Sequence, residues 1–415
     1  MHIVYVSQYF PPEMGAPSAR VYELSRAWVK QGHKVSVVTG FAHHPTGIKA
    51  PQDKFRISRR ETIYGIDVVR CYVWATANKG IGKRMISYVV FMVAATLIGG
   101  IRVSSPHVVI ATSPQLLCGL AGYVLAKRFS VPFVLEVRDL WPESILAVDA
   151  MKDNLIVRGL RRVALFLYTK AALIVTVGEG YKKEIQERYG IPMERMHVVP
   201  NGVDSQLFVP GNRQNEIRQE YGWKEKFVIL YVGTHGMAHA LHVVLDAAEQ
   251  LQSNHDILFA FVGEGAEKDN LKELARDKGL TNVRFIDQQP RSRLPAFYSA
   301  CDLGLVTLKN TKLFQSVLPS KIFEYLAMAR PILLSVDGEA RALMEGAGAG
   351  WYVAPEHSSA LREAILKAEQ DRRKLEQMGN RGREYVMRHF DRTHLAEKYL
   401  TLLREIAGRF PKSSR

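Results

Sequence analysis

The sharpest chemical suggestion in this chain lies in Leu318-Pro319-Ser320-Lys321-Ile322-Phe323-Glu324-Tyr325. Ser320 has the character of a helix N-cap, and a helix starting there turns its unsatisfied N–H groups and positive end outward. Lys321 places a formal cation beside those donors. Glu324 follows four residues after the cap, about one turn in, where a carboxylate can accept hydrogen bonds from ribose hydroxyls. The same cluster also describes the first-turn acid and base of a solvated helix.

Other segments carry related chemistry. In Tyr231-Val232-Gly233-Thr234-His235-Gly236-Met237-Ala238-His239, two glycines flank a histidine before a helical pattern, where exposed N–H groups suit a diphosphate. His235 and His239 read equally well as half-buried side chains. Val262-Gly263-Glu264-Gly265 repeats the loop type after the next apolar run. Glu136-Val137-Arg138-Asp139-Leu140-Trp141-Pro142-Glu143 sets three carboxylates and an arginine at a strand end, where buried charge usually serves a site; a surface Arg138–Asp139 ion pair is the plain alternative. Gly15-Ala16, in the loop after the first strand, lets backbone N–H groups approach an anion, with a plain turn as the alternative. No G-x-G-x-x-G is present, so the dinucleotide fingerprint is absent. No D-x-D occurs either, which favours a diphosphate held by helix ends and cations over one held by a metal.

These residues need a scaffold that brings loop ends together. Short apolar runs alternate with helical patterns throughout, the sign of βαβ units and parallel sheets. One series of strands is expected at Ile3–Val6, Val35–Thr39, Val68–Val73, Val108–Thr112, Phe133–Val137 and Leu173–Val177. A second is expected at Phe227–Val232, Ile257–Val262, Val283–Ile286, Leu303–Thr307, Pro331–Ser335 and Trp351–Val353. The polar stretch Gly211–Lys226 reads as a connector. The resulting fold class is α/β: two doubly wound Rossmann-like domains, 1–204 and 205–385, with a functional site expected in the cleft they face across, at the carboxyl ends of the strands.

With 415 residues, 47% hydrophobic and 23% charged, the chain is an ordinary multidomain globular composition. Cys71, Cys118 and Cys301 are odd in number and show no C-x-x-C spacing, which disfavours disulfides and zinc and suits a cytoplasmic protein. The net charge is +15 and is unevenly spread. Residues 1–205 hold 26 Lys/Arg against 15 Asp/Glu, so the first half is the one expected to meet an anionic partner. Met85–Ile101 is uncharged but reads as a buried or interfacial helix more readily than as a span. Lys79, Lys83, Arg84 and the basic–apolar segment Leu155–Lys170 suit an anionic membrane surface, and nearly as well core packing with a solvated basic face. Neither an aromatic–basic platform nor a helix-turn-helix appears, so nucleic acid is not the expected partner.

Taken in order, Pro11-Pro12-Glu13-Met14-Gly15-Ala16, Gln31-Gly32-His33-Lys34-Val35, Val199-Pro200-Asn201-Gly202-Val203-Asp204, Val262-Gly263-Glu264-Gly265 and Phe323-Glu324-Tyr325-Leu326-Ala327 resemble family 4 of the retaining nucleotide-sugar glycosyltransferases across nearly the whole chain. Arg138–Ser144 further resembles bacterial O-antigen and capsule transferases of the fucosamine-transferase type. The resemblance implies a GT-B architecture with no required metal or other cofactor, and a C-terminal helix, within 386–415, returning to the first domain. It implies a nucleotide-sugar donor, UDP-linked, on the second domain and a lipid-linked glycan acceptor on the first, at the inner face of the cytoplasmic membrane. By matching positions Glu324 holds the ribose, Ser320 and Lys321 face the diphosphate, and the backbone at Ile286, Asp287 and Gln288 meets the base. Asp139 and Glu143 would orient the acceptor and Arg138 would bind its phosphate or sugar.

Three positions depart from the family pattern. Ser316 stands where the first of two paired glutamates belongs, Thr234 and His239 stand for the usual Arg and Lys, and Arg138 stands for a histidine. Diphosphate neutralisation then falls to Lys321, backbone amides and His235 or His239. A UDP-sugar 2-epimerase of the same architecture, and a non-catalytic basic protein binding membrane or nucleic acid, are the competing readings.

Overall fold

Runs of Val, Ile and Leu covered on both faces build two separate sheets, parallel except for one antiparallel edge pair, as the apolar patterning requires. The structure, a computed structural model, describes residues 1–13, 15–43, 47–75, 81–113, 115–147 and 152–410; Met14 and Lys79 lie outside these. The chain divides into two units, Met1–Asn201 with the C-terminal stretch from Arg392, and Gly202–Asp391.

In the first unit the strands are β1 (His2–Val6), β2 (Lys34–Gly40), β3 (Ser58–Ile63), β4 (Ile66–Cys71), β5 (Val108–Thr112), β6 (Phe133–Val137), β7 (Leu173–Thr176) and β8 (Met196–Val198). They lie in the order β3-β4-β2-β1-β5-β6-β7-β8. The β3–β4 pair is antiparallel, while β1 runs parallel to both β2 and β5. The helices are α1 (Ala16–Lys30), α2 (Ile81–Arg102), α3 (Leu116–Phe129), α4 (Glu143–Ala147), α5 (Leu155–Lys170) and α6 (Glu179–Tyr189). The edge strands β3 and β8 were not anticipated from the sequence. An edge strand needs no apolar run on both faces, so Ser58-Arg59-Arg60-Glu61-Thr62-Ile63 pairs without showing one.

The second unit begins with α7 (Glu216–Glu220) and continues through β9 (Phe227–Val232), α8 (Leu241–Gln250), β10 (Ile257–Val262), α9 (Lys268–Asp277), β11 (Val283–Ile286), α10 (Leu294–Ala300) and β12 (Leu303–Thr307). It is completed by α11 (Lys321–Ala327), β13 (Ile332–Ser335), α12 (Glu339–Ala347), β14 (Gly350–Tyr352), α13 (Ser358–Gln370) and α14 (Arg372–Phe390). Its sheet order is β11-β10-β9-β12-β13-β14. This is the doubly wound order whose direction reverses between β9 and β12, so the loops after those two strands flank a natural ligand position.

The stretch Gly211–Lys226 is folded structure, not a connector. Asn215 caps α7, Trp223 is buried, and Arg213 and Arg218 converge on the buried Asp302 at 2.6 and 2.7 Å. The C-terminal helix expected within 386–415 is broken at Asp391, where α14 ends and α15 (Arg392–Arg409) begins. Asp391 is extended, bridges Val203 and accepts a hydrogen bond from Ser205, which keeps 386–391 in the second unit. From Arg392 the chain rejoins the first unit. There Leu395, Ala396, Tyr399, Leu400 and Leu403 enter the core built on β1, β2 and α1. The Trp28 indole donates to the Ala396 carbonyl at 2.9 Å, and Arg392 pairs with Glu23.

Candidate active site

The second unit gathers its chemistry at the carboxyl ends of β9 and β12. Thr307 Oγ1 donates to the His239 carbonyl at 2.6 Å and Lys309 N–H to the Ala238 carbonyl at 2.9 Å, so the two loops are tied together across the reversal point. Lys321 reaches into this position from the start of α11. Its Nζ lies 3.5 Å from the centre of the Tyr231 ring, and a Cβ on Gly233 would come within 3.0 Å of it. The ammonium is shielded from solvent and has no hydrogen-bond partner. Burial pulls its pKa down to about 7, with Glu324 opposing the shift.

Backbone amides contribute less here than the glycines suggest. The N–H groups of Gly233, His235 and Gly263 donate to the carbonyls of Val262, Glu264 and Ile286, at 2.9, 2.9 and 3.0 Å. The β9 and β10 loops are thus sewn to each other. Gly263, at φ +148°, has the Gly233 carbonyl oxygen 1.9 Å from where a Cβ would sit, so the tight pass itself demands glycine. The cation at this point is Lys321.

Glu324, one turn further along α11, is held at both carboxylate oxygens. Arg291 donates to Oε1 at 3.0 Å and the Tyr298 hydroxyl to Oε2 at 2.6 Å. Arg291 also stacks over Phe208, its guanidinium carbon 5.1 Å from the ring centre. A carboxylate has about four acceptor positions, so two remain for a ligand diol. Neither Arg291, in the loop after β11, nor Tyr298, on α10, was singled out in the sequence. The available signal was only that Arg291 follows a strand of a parallel sheet.

In the first unit the comparable position is where β1 and β5 part. Arg138, after β6, donates to the carbonyls of Ala16 and Pro17 in the first turn of α1, at 2.9 and 3.2 Å. Ser113 Oγ accepts from the N–H groups of Arg138 and Asp139, at 2.7 and 3.1 Å. Burial raises the Asp139 carboxyl to about 6, opposed by the nearby Ser144 hydroxyl and Leu140 amide, and the group faces a small hollow lined by Ser113, Gln115, Trp141 and Tyr168. Glu136 lies wholly inside, receiving bonds from Tyr5, Arg20 and Thr112, and these hold its pKa below the usual carboxylate value despite burial.

A profile for group 1 glycosyl transferases matches residues 213–385, and one for the glycosyl transferase 4-like domain matches 15–202. The chain belongs to the family 4 glycosyltransferases. It is 25% identical to the glycosyltransferase WbjE of Pseudomonas aeruginosa over 71% of this chain and 74% of that one. It is also 25% identical to WcaI of Escherichia coli strain K12, assigned to colanic acid biosynthesis, over 97% of this chain and all of its relative. In fold it resembles Anabaena HepE crystallised with UDP-glucose, at 17% identity and a TM-score of 0.74, with 98% of this chain and all of the other covered. The architecture is GT-B, with two Rossmann-like units.

Within this glycosyltransferase, Gly233, Thr234, His239, Lys321 and Glu324 occupy the β9 and α11 region of one unit, and in the other Arg138 meets Ala16 while Asp139 stands beside Ser113. Several expectations change. Ser320 is itself helical and makes no side-chain cap, the first-turn N–H of Ile322 is taken by Pro319, and α11 is a helix of only seven residues. His235 is wholly buried, ringed by Tyr231, Phe261 and Phe285. Burial, then neighbouring lysines, hold both His235 and His239 near a pKa of about 3, so neither supplies positive charge at neutral pH. Asp287 is ion-paired with Lys268 at 2.6 Å, and the Ile286 carbonyl is spent on Gly263. Glu143 is gripped by Arg161 at 3.2 Å and Tyr189 at 3.1 Å, which makes it a tie between α4, α5 and α6. Ser316 is buried and bonded to the Leu313 carbonyl. Among the described residues no cluster of three or more His, Cys, Asp or Glu has the arrangement of a metal site.

Proposed function

We propose that this enzyme transfers a sugar from a UDP-sugar to a lipid-linked oligosaccharide precursor of a bacterial surface polysaccharide, with retention of anomeric configuration and without a metal. The observation that carries the donor side is the Lys321 ammonium, buried beside Gly233 over Tyr231 with no hydrogen-bond partner. A buried cation without a partner is costly, and a diphosphate relieves it. The relief grows as negative charge builds on the departing group, so Lys321 favours the transition state over the bound substrate. The Arg291–Glu324–Tyr298 set supports ribose binding one helical turn away. HepE, crystallised with UDP-glucose, supports uridine as the base, and WcaI supports the polysaccharide assignment.

In the transfer, the acceptor oxygen bonds to the anomeric carbon while the bond from that carbon to the diphosphate oxygen breaks. The electron pair leaves with the diphosphate, and the acceptor proton passes to the freed oxygen on the same face, which is why positioning serves better here than a strong base. Asp139 is the group on the first unit suited to orient the acceptor hydroxyl.

The test is a thermal-shift and calorimetric screen against UDP-, GDP- and dTDP-sugars. A ligand at about 100 times its dissociation constant stabilises by roughly 2.7 kcal/mol, and we expect this for a UDP-sugar alone. Glu324→Ala and Lys321→Ala each weaken it at least ~10-fold, the loss of one charged partner. Unchanged affinity in both variants, or an inverted anomer in the product by NMR, sinks the reading.

A further inference from the structure

The helices α2, α3 and α5 form a layer on one face of the first unit's sheet, and among the described residues the outer side of that layer is exposed. α2 and α3 touch through Arg128, which donates to the Gly100 carbonyl at 3.0 Å, and α3 touches α5 through Tyr123 and Phe166, whose rings are 5.1 Å apart. α1 and α15 occupy the opposite face, where Trp28 meets Ala396 and Tyr399.

α2 is apolar on two sides. Ser87, Phe91, Ala95 and Gly99 face the interior. Ile86, Val89, Val93, Leu97 and Ile101 face outward at three- and four-residue spacing, with Leu97 62% and Ile101 78% exposed. That outer stripe is about 22 Å long at 1.5 Å per residue. On α5, Leu155 is 81% exposed, and Ile156, Leu165 and Phe166 are also exposed. Among the described residues, these three helices carry more than half of the large hydrophobic side chains exposed anywhere in the chain.

The charge on the same layer is of one sign. α2, α3 and α5 contain no Asp or Glu, yet hold three, two and four Lys/Arg respectively. Arg161 is neutralised by Glu143 and Asp153, but Lys83, Arg102, Lys127, Arg128, Arg158 and Arg162 are accommodated at the surface or its rim. A solvated helical layer ordinarily mixes both signs and breaks up its apolar stripes. An apolar stripe bordered by unmixed positive charge instead complements an anionic bilayer surface, where each basic residue contributes roughly a fivefold gain in affinity.

We propose that this outer face of α2, α3 and α5 lies on an anionic lipid bilayer, with the α2 stripe buried at the headgroup boundary. It rests on the sugar-transfer reading only in presenting the enzyme to a lipid-linked acceptor; the surface itself stands on the helices' own residues. α2 is long and apolar enough to cross a membrane. Crossing, however, would strip Phe91 and Ala95, both fully buried, from the sheet, so the helix lies on the surface and does not span it.

Cosedimentation of the full chain with phosphatidylcholine vesicles containing about 30% phosphatidylglycerol tests this. Capture is expected on these vesicles, weakening with salt, and not on pure phosphatidylcholine. Val93→Glu with Leu97→Glu, both at exposed positions, abolishes capture, and Arg158→Gln or Arg162→Gln weakens it about fivefold each. All variants keep the thermal response to a UDP-sugar. Capture unaffected by Val93→Glu/Leu97→Glu, equal capture on neutral vesicles, or a wild-type dimer that this pair converts to monomer overturns the proposal. Vesicle capture without any response to UDP-sugars would sustain the surface while removing the sugar-transfer reading.

Discussion

Lys321 makes donor binding sensitive to pH in a direction that can be worked out. Its ammonium titrates near 7 in the folded chain against 10.5 for a free lysine. Between those values the unfolded chain binds more protons, so the stability of the unliganded protein rises with pH across that window, and the burial penalty is fully present below 7. A bound diphosphate raises the lysine pKa again, so above pH 7 binding must take up a proton. UDP-sugar affinity should therefore fall by up to about tenfold per pH unit above 7, since one proton is linked. Calorimetry in buffers of different ionisation heat would detect that proton, and its absence would remove Lys321 from the diphosphate. At this scale Lys321 and Glu324 were legible because both sit in one helical turn. Arg291 and Tyr298 were not, since they reach Glu324 from 33 and 26 positions away. The histidines misled for a related reason: a ring flanked by glycines reads as available, and only its three aromatic neighbours reveal that His235 is sealed in.

Among the elements, α15 has the greatest leverage. Leu403 and Leu400 are buried in the first unit's core beside Trp28, although they follow it by most of the chain length. Leu403→Ala should destabilise by about 2–5 kcal/mol, as for other buried leucines, and urea denaturation would measure it. A change under about 0.5 kcal/mol, the surface value, would mean that α15 is detached in solution. Strands with a clear apolar run could be read directly: β5, β6, β9, β10 and β12, and also the edge strand β11, lie residue for residue where those runs placed them. The edge strands β3 and β8 could not, because pairing on one side leaves little pattern. The break at Asp391 was hidden too, since the helical periodicity on either side is uninterrupted and the tether to Val203 and Ser205 is distant in sequence.

At the level of the whole chain, the second unit is a continuous segment whose ends meet. Val203 and Asp391 form a β-bridge, and Val203 N–H donates to the Phe390 carbonyl at 3.0 Å, an arrangement typical of an inserted domain able to fold alone. Residues 202–391 expressed by themselves should unfold cooperatively and show a thermal response to a UDP-sugar, because Lys321, Tyr231, Glu324 and Arg291 all lie within them. A folded fragment blind to UDP-sugars would place the donor elsewhere. What the sequence specified unaided was the α/β class and, as a candidate, the segment around Lys321, since these depend on composition and spacing within a few turns; the family was carried by a resemblance of motifs along the whole chain. Only the tertiary structure decided which N–H groups are already consumed, which charges are neutralised, and which apolar face of α2 is left exposed. Each of those depends on groups brought together from distant parts of the chain, and local pattern carries no record of them.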